Sequence, residues 1–539
     1  MTFLSFTFAA FLGASLLVYW GMPKKVRPYV LLAVSVAFYL FSGPKYIAYI
    51  AAATAVTYVC ALLVYKNNEA FAAGSKALKA EVGPDAFKKL QKKSHRKSSL
   101  FVALALLCDL GILCVIKYLD FLLGNLWSLF GKEFSGLGLM MPLGLSYFTF
   151  AAVGYIIDVS RGKYAPERNF AKFALYMTYF PQMLQGPIPR FDFMGTQLCE
   201  EKSIDVHKFA DGLRLCLWGA FKMLVIASTV APLVANVSSF GAPGYKLPFP
   251  TYTLGGAQIW VGMIAWGIQL YTSFSGGIDI AEGISECFGI TMAENFKRPY
   301  FAVNLTDYWN RWHISLSEWL KDYVFYPMAL SKRFARFSKF LKNKFGKFIA
   351  KTVPVGLLSL LLFTLVGIWH GANWGEILFG VFNGVIILIS TLLEPLFVKI
   401  RKPLRMDKLL IWRIFRALRT FVLITLTRVV SKAPSVTMAM AYYRAMFLSP
   451  AFGSLQNYVA DAGGIGPLLL KYLPAIVGCL VLFAVSLTEE KHTKHSLRAI
   501  LADKPVLRVS LELLCLAAVV VFGSYGIGFD SAAFIYSHY

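Results

Sequence analysis

Two histidines differ from the rest because each lies between tryptophans in an apolar stretch. His313 follows the segment 308–312, Tyr-Trp-Asn-Arg-Trp, and His370 lies in the segment 369–374, Trp-His-Gly-Ala-Asn-Trp. The other five histidines lie in charged stretches or near the C-terminus. An ionisable side chain in an apolar environment is unfavourable, so both residues are candidate functional groups.

The chemistry that imidazole could perform here is proton transfer. Its proton affinity lies near neutral pH, which suits a general acid or base. The alternative is structural, because a lone histidine on an apolar helix is more often a hydrogen-bonded core residue than a catalyst. The sequence around His313 and His370 leaves both interpretations open.

The composition is that of a membrane protein. Hydrophobic residues make up 57% of the 539 residues and charged residues 15%, whereas soluble domains carry about 25% charged residues. The formal net charge of +25 raises the possibility of a nucleic-acid partner, but the basic residues concentrate between apolar stretches. That distribution is typical of segments that face anionic lipids, so we predict contact with membrane lipids and no nucleic-acid partner.

The apolar stretches predict the fold class. A helix that crosses a bilayer needs about 20 mostly apolar residues, and we therefore predict an all-α polytopic membrane protein with about 11–12 transmembrane helices. The first stretch lacks the features of a cleavable signal peptide and is predicted to remain as a span. The candidate spans are residues 3–21, 28–42, 45–65, 99–119, 138–158, 209–234, 254–274, 353–370, 375–398, 409–430, 466–487 and 506–524.

Basic segments between these spans predict the orientation. Residues 66–98 hold nine Lys or Arg and three acidic residues, and residues 331–351 hold eight basic and no acidic residues. We expect both to be cytoplasmic loops, together with 24–27, 399–405 and 490–498. The N-terminus and the C-terminus are then predicted to face the extracytoplasmic side, as are 43–44, 120–137, 371–374 and 431–465.

The region 160–330 fits neither simple spans nor simple loops. Residues 167–190 are apolar but rich in proline, residues 275–303 combine a Gly-Gly pair with acidic residues, and residues 304–330 mix aromatic and charged side chains. Irregular backbone at membrane depth is tolerated only where protein buries it or where it lines a cavity, which indicates re-entrant or tilted helices. An internal chamber and an interfacial amphipathic helix both agree with this pattern.

Other site classes have little support in the sequence. The eight cysteines are dispersed without a C-x-x-C pair, which indicates buried thiols. No nucleotide-binding loop, dinucleotide fingerprint or zinc-protease motif is present. His492 and His495 are flanked by lysines, which favours a basic loop over a metal site. We predict no metal site and no bound cofactor.

Six segments carry recognisable motifs: 2–6, 180–190, 275–283, 299–327, 369–375 and 534–536. Together they resemble the membrane-bound O-acyltransferases and, within that family, the alginate O-acetylase branch. The Arg-Trp-His motif ending at His313 and the Trp-His-Gly motif at His370 are the most specific. Because similar segments occur at both ends of the chain, the resemblance runs over nearly its whole length.

The resemblance implies helices around a central tunnel. It implies one membrane-embedded domain over residues 1–539, with core motifs in 138–400 and further C-terminal spans in 409–524. The reaction implied is transfer of an acetyl group from cytoplasmic acetyl-CoA to hydroxyls of a cell-envelope polysaccharide, in a bacterial cytoplasmic membrane. His370 corresponds to the catalytic histidine of the family, and His313 to a second histidine whose role is less settled.

Neighbouring residue types agree with such chemistry. Neutral imidazole can activate a hydroxyl, tryptophans can exclude water from a thioester, and an amide can stabilise an oxyanion or orient a histidine. A carboxylate could orient a histidine, and an arginine could contact a phosphate. Each of these side chains could instead connect helices. The predicted supporting residues are Asn373, Asp307, Arg311, Trp369 and Trp312.

Several functional questions stay open at this stage. The branch often works with an esterase-like extracytoplasmic partner, so transfer could be direct or pass through that partner. The alternatives are an acyl-passing transporter without complete catalysis of its own, and transfer of D-alanine to teichoic acid. The sequence does not distinguish alginate, peptidoglycan, cellulose or another envelope glycan as the acceptor.

Overall fold

The regular structure of the chain is helical. The computed structural model describes residues 3–238, 255–449, 455–456, 459–460, 462–492 and 500–525. Within these ranges one isolated bridge, between Phe296 and Trp312, is the β-type pairing present. Seven helices are long and apolar enough to cross a membrane. The predicted all-α polytopic fold is therefore confirmed.

The helices are numbered along the chain. Those before residue 240 are α1 (Phe6–Gly21), α2 (Arg27–Ser42), α3 (Ile47–Leu129), α4 (Leu145–Ser160), α5 (Phe170–Thr178), α6 (Phe180–Gln185), α7 (Thr196–Cys199), α8 (Val206–Ala220) and α9 (Ser228–Ser238). Those after it are α10 (Gly256–Cys287), α11 (Leu305–Arg311), α12 (Ile314–Leu320), α13 (Tyr326–Ala329), α14 (Lys332–His370), α15 (Trp374–Arg401), α16 (Leu410–Lys432), α17 (Val436–Leu448), α18 (Ile465–Lys491) and α19 (Pro505–Phe522).

Ten of the twelve apolar stretches predicted from sequence coincide with apolar helices. Three of the ten, in α1, α2 and α4, are shorter than a full span. The remaining two predicted spans, 254–274 and 409–430, fall in α10 and α16, which are helical but too polar to be candidate spans. Arginines at four positions explain this for α16: Arg413, Arg416, Arg419 and Arg428. The candidate spans are Pro44–Gly74, Gly83–Leu129, Val206–Val237, Lys332–His370, Trp374–Arg401, Ile465–Lys491 and Pro505–Phe522.

The prediction that the long basic segments are loops is wrong. Residues 66–98 continue the helix α3, which bends at Gly83 (φ 74°) just before Pro84. Residues 331–351 form the first half of α14, which bends at Gly346 (φ 84°). Alanine, lysine and glutamine favour helix, and only the glycines adopt the left-handed backbone that breaks it. The predicted outer segment 431–465 also contains a helix, α17, and the basic segment 490–498 lies mostly outside the described residues.

The region 160–330 contains the irregular helices that the sequence predicts. Helix α6 has six residues and ends at Gly186, and α11, α12 and α13 are similarly short. Gln182 and Gln185 on α6 are fully buried, and their amide atoms have no hydrogen-bond partner among the described residues. Uncompensated buried amides are rare, which marks α6 as an unusual element.

Two compact units divide the chain. One comprises residues 1–213 and 281–293, and the other comprises residues 214–280 and 294–539. In the first unit, Phe180 at the start of α6 packs against Phe8, Phe11 and Phe38. The second unit holds both histidine motifs, and its buried core includes Trp309, Trp312 and Phe379. The candidate site therefore belongs to the second unit.

Candidate active site

His370 is positioned by an antiparallel hairpin of α14 and α15. Glycines at the crossing allow a very close approach: a Cβ on Gly367 would lie 2.4 Å from the carbonyl oxygen of Glu376, and one on Gly380 would lie 2.2 Å from that of Phe363. Small residues of this kind let membrane helices pack backbone to backbone. His370 is the last residue of α14 and is 7% exposed.

The turn after His370 is fixed by the N-cap of α15. The Asn373 side-chain oxygen accepts a hydrogen bond of 2.9 Å from the backbone N–H of Glu376. Gly371 is required for space, since a Cβ there would lie 2.9 Å from the Asn373 amide nitrogen and 3.1 Å from Cγ of Glu376. Asn373, predicted to stabilise an oxyanion or orient His370, is thus placed as a helix cap with its side chain directed to α15.

His370 lines a pocket in the second unit. The pocket walls come from α10, α11, α14, α15 and α16, and from the residue that precedes His313. Its lining is largely aromatic, with one imidazole, one carboxyl and one guanidinium. The lining residues are Trp266, Leu270, Trp309, Trp312, His370, Glu376, Phe379, Arg428 and Ser431.

His313 lies in the short link between α11 and α12 and is 2% exposed. Its backbone is left-handed (φ 49°, ψ 54°), one of three non-glycine residues with positive φ in the described structure. Its Nδ1 is 3.3 Å from Oδ1 of Asn295, an oxygen that also accepts from the backbone N–H of Ser315 at 3.1 Å. The shared acceptor places the ring proton on Nδ1 and leaves Nε2 as the unprotonated nitrogen.

The surroundings of His313 favour the neutral ring. Burial lowers its pKa from 6.5 to about 3, because a charged imidazolium would lose its hydration. Nε2 has no hydrogen-bond partner among the described residues. His313 can therefore accept a hydrogen bond at neutral pH, whereas a role as a proton carrier would require a large change in its surroundings.

The two histidines are connected by Trp369. The indole ring has its centroid 4.9 Å from that of His370 and 5.8 Å from that of His313. On its other side His313 meets Phe274 edge to face at 5.0 Å. The structure thus brings together His313, Trp369 and His370, as the two motifs suggested, although His313 itself is not part of the pocket lining.

Arg428 and Glu376 are pocket residues that we did not predict. The Arg428 guanidinium donates a hydrogen bond of 2.6 Å to the hydroxyl of Tyr308, and its central carbon lies 4.9 Å from the centroid of the Trp312 ring. Glu376 Oε1 accepts a hydrogen bond of 2.8 Å from the hydroxyl of Ser431. Both charged groups are buried. A charged residue within a predicted span is itself a signal of function. The sequence carried that signal at Glu376, in the span 375–398, and at Arg428, in the span 409–430.

Asp307 and Arg311 lie away from the pocket lining, in an ion-pair network. Asp307 accepts from Arg311 at 2.8 Å, and Arg311 also contacts Glu490 at 3.1 Å. Glu490 binds two further arginines, Arg298 at 2.9 Å and Arg413 at 2.7 Å. The network joins α11 to the start of α16 and to the end of α18. These contacts therefore connect helices. Asp279, another carboxylate of the second unit, forms an ion pair with Lys222.

The fold and the site together define a class of protein. Multiple apolar helices, an aromatic pocket and a buried histidine at the end of a helix are features of a membrane-embedded enzyme that protects a reactive group from water. Residues 166–431, a range that includes both histidine motifs, match the model of the membrane-bound O-acyltransferase family. The chain belongs to this family and is a multi-pass membrane acyltransferase.

The relatives include enzymes that modify glycans. The chain is 29% identical over 489 residues to the probable alginate O-acetylase AlgI of Azotobacter vinelandii, covering 89% of this chain and 85% of the relative. It is 31% identical over 391 residues to the corresponding protein of Pseudomonas aeruginosa, covering 70% and 66%. A peptidoglycan O-acetyltransferase of Helicobacter pylori is 27% identical over 442 residues, covering 77% and 73%. The predicted family resemblance is therefore confirmed.

Proposed function

We propose that this acyltransferase moves an acetyl group from acetyl-CoA to hydroxyls of a cell-envelope polysaccharide. The observation that carries the proposal is the burial of His370 in an aromatic pocket, within a region that matches the acyltransferase family. The relatives described above are named for O-acetylation of alginate or peptidoglycan, which supports a glycan acceptor.

His370 is the general base of the proposed reaction. The acceptor hydroxyl attacks the thioester carbonyl carbon while the imidazole takes up the hydroxyl proton. The tetrahedral intermediate then breaks its carbon–sulfur bond, and the imidazolium returns the proton to the departing thiolate. The products are an O-acetyl ester and free coenzyme A, and the base is regenerated.

The tryptophans of the pocket favour transfer over hydrolysis. Trp309 and Trp312 form part of the pocket wall, and both are buried. Excluding water lengthens the life of the thioester and strengthens electrostatic interactions with the developing oxyanion. The indole N–H of Trp266 has no hydrogen-bond partner among the described residues and is a candidate donor to that oxyanion.

The proposed location is a bacterial cytoplasmic membrane. The basic parts of α3 and α14 face the cytoplasm in this arrangement, where anionic lipids attract them and the acetyl-CoA pool is found. Both termini then face the extracytoplasmic side. An esterase-like partner on that side would receive the acetyl group or help to deliver it to the polymer, in which case the chain acts as the acyl-passing component of a pair.

The replacement His370→Ala tests the function. We expect ester-linked acetate on the envelope polysaccharide to fall to background in cells that produce normal amounts of the membrane-inserted variant. His207→Ala, at an exposed histidine of α8, is the matched control and should retain acetylation. Unchanged acetate in His370→Ala cells would remove His370 from the mechanism.

A second experiment, on the unmodified chain, separates direct transfer from transfer through a partner. Purified protein is supplied with acetyl-CoA and a soluble glycan, with and without an extracytoplasmic fraction. Acetylated glycan formed by the purified chain alone would establish direct transfer. Acetyl-CoA consumption that requires the extracytoplasmic fraction would support the acyl-passing alternative.

A further inference from the structure

The wall of the His370 pocket carries two charges of opposite sign. Glu376 on α15 and Arg428 on α16 both line this pocket, and both are buried. Charges at such positions act strongly on a nearby ionisable group, because little water is present to screen them. Both charges are therefore expected to change the proton affinity of the His370 imidazole.

Glu376 is held at its backbone by one neighbour and at its carboxylate by another. Its backbone N–H is bound by the Asn373 cap, and its Oε1 accepts from the Ser431 hydroxyl. The first contact fixes the start of α15 and the second links α15 to α16. Glu376 is thus tied to the turn that follows His370, and its side chain is held towards α16.

The guanidinium of Arg428 is held in a similar way. The Tyr308 hydroxyl accepts its hydrogen bond, and the face of Trp312 lies beside the cation. Arg428 cannot lose its proton under ordinary conditions, so the pocket always contains this positive charge.

Other ionisable groups near the pocket are few. Lys432, at the end of α16, places its ammonium 4.1 Å from the centroid of the pocket residue Trp266. His313 contacts Trp369, whose ring also contacts His370, and His313 is neutral because it is buried. Tyr308 contributes a hydroxyl to Arg428. Glu376 and Arg428 are thus the charged members of the lining itself.

We propose that Glu376 and Arg428 are positioning residues that set the proton affinity of His370 with opposite signs. The carboxylate stabilises the imidazolium formed when His370 takes the hydroxyl proton, and the guanidinium limits that stabilisation, so that the proton is returned to the leaving thiolate. This inference rests on the proposed role of His370 as a base. It adds two residues and a direction for each.

The pH profile of acyl transfer tests the inference. A base must be neutral to act, so the acidic limb of kcat/KM reports its proton affinity. We expect Glu376→Gln to move this limb to lower pH and Arg428→Gln to move it to higher pH, each by about one unit. In the double variant the two changes oppose each other, and the limb should return close to its original position. The assay uses full-length protein in lipid nanodiscs with radiolabelled acetyl-CoA, an envelope polysaccharide acceptor and any extracytoplasmic fraction that transfer requires.

Milder variants cover the case in which a charge-removing variant fails to fold. Ser431→Ala loosens the Glu376 carboxylate, and we expect a smaller shift of the same sign as Glu376→Gln. Arg428→Lys keeps the positive charge and should leave the limb in place. Glu394→Gln on α15 and Arg413→Gln on α16 are matched controls at exposed positions, and neither should shift the limb.

The outcomes separate this inference from the function itself. Limbs that stay in place in folded Glu376→Gln and Ser431→Ala proteins, or that move in the same direction for both charges, would overturn the inference alone. They would leave Glu376 as a connection between α15 and α16, and Arg428 as a connection between α16 and α11. Activity retained by His370→Ala would instead overturn the proposed base.

Discussion

The indole ring of Trp369 contacts the imidazole of His313, with ring centroids 5.8 Å apart and planes inclined at 58°. The same indole contacts His370, the next residue of α14. Two motifs far apart in the chain therefore share one aromatic side chain. A change in the position of Trp369 would therefore alter the packing of both imidazole rings.

Replacement of Trp369 by alanine should lower both the abundance of the protein and the activity of each molecule that accumulates. Trp369→Ala removes a buried ring and creates a cavity, a change that typically destabilises by about 3–5 kcal/mol. Trp369→Phe keeps an aromatic ring between the histidines and should retain a measurable part of the activity. Membrane abundance and acetyl transfer are measured in parallel.

The neighbouring Trp374 provides the control for this comparison. It belongs to the same motif but is 54% exposed, so Trp374→Ala should change both measurements little. Equal activity per molecule in Trp369→Ala and the unmodified chain would contradict the contribution of the shared ring.

Stability should decrease in acid because of His313. Burial keeps the pKa of His313 near 3 in the folded protein, whereas the unfolded chain has the ordinary value of 6.5. Between pH 6.5 and 3 the folded state therefore binds fewer protons than the unfolded chain. The free energy of unfolding falls as the pH falls through this range, by up to about 1.4 kcal/mol per pH unit.

The variant His313→Asn tests this pH dependence. Asparagine tolerates the left-handed backbone and has no proton to gain, so the thermal midpoint of the purified variant should vary less with pH. His207→Asn, at an exposed position, should behave like the unmodified protein. Parallel pH curves for His313→Asn and the unmodified protein would rule out this contribution.

Glu490 should be important for stability. It contacts three arginines, and neutralising it would leave Arg298 with only its longer ion pair to Glu489 and would remove one of the two carboxylate contacts of Arg311. We expect Glu490→Gln to lower the free energy of unfolding by about 2 kcal/mol, which is less than the roughly 3–5 kcal/mol for a fully buried ion pair because this network is partly exposed.

The adjacent Glu489 offers a matched control. Its ion pair with Arg298 is longer, at 3.6 Å, and its side chain is more exposed. Glu489→Gln should lower the thermal midpoint much less than Glu490→Gln. A similar loss in both variants would indicate a general effect of charge at the end of α18.

The close approach of α14 and α15 should tolerate no added side chain. Gly380→Val would place a Cβ about 2 Å from a backbone oxygen of α14, so the helices must separate. Because His370 and Glu376 lie on opposite sides of this contact, we expect loss of acyl transfer even where protein accumulates. Gly466→Val on α18, where the surroundings are open, is the control and should retain activity.

Part of the site could be predicted from sequence because it depends on local composition. An ionisable residue in an apolar stretch identified His370 and His313, and the i, i+4 spacing of Asp307 and Arg311 is itself typical of an ion pair. A second partner of Arg311, Glu490, lies 179 positions further along the chain. No local pattern connects it to Arg311.

The helices were predicted better than their ends. Hydropathy located most apolar helices, but it treated the charged parts of α3 and α14 as loops, because it measures polarity and not backbone preference. Glu376 and Arg428 were missed for a related reason. Each lies in a predicted span that also holds other charged residues, and its burial in the His370 pocket depends on how α15 and α16 pack.

The left-handed backbone of His313 has a consequence for protein engineering. A non-glycine residue in this conformation costs about 1–3 kcal/mol, and glycine would relieve that strain. A variant library screened only for heat resistance is therefore expected to accumulate glycine at position 313, and a library screened for acetylation to retain histidine. The two screens would choose different residues at the same position, and the difference between them would measure how much stability the enzyme forgoes in order to keep an imidazole there.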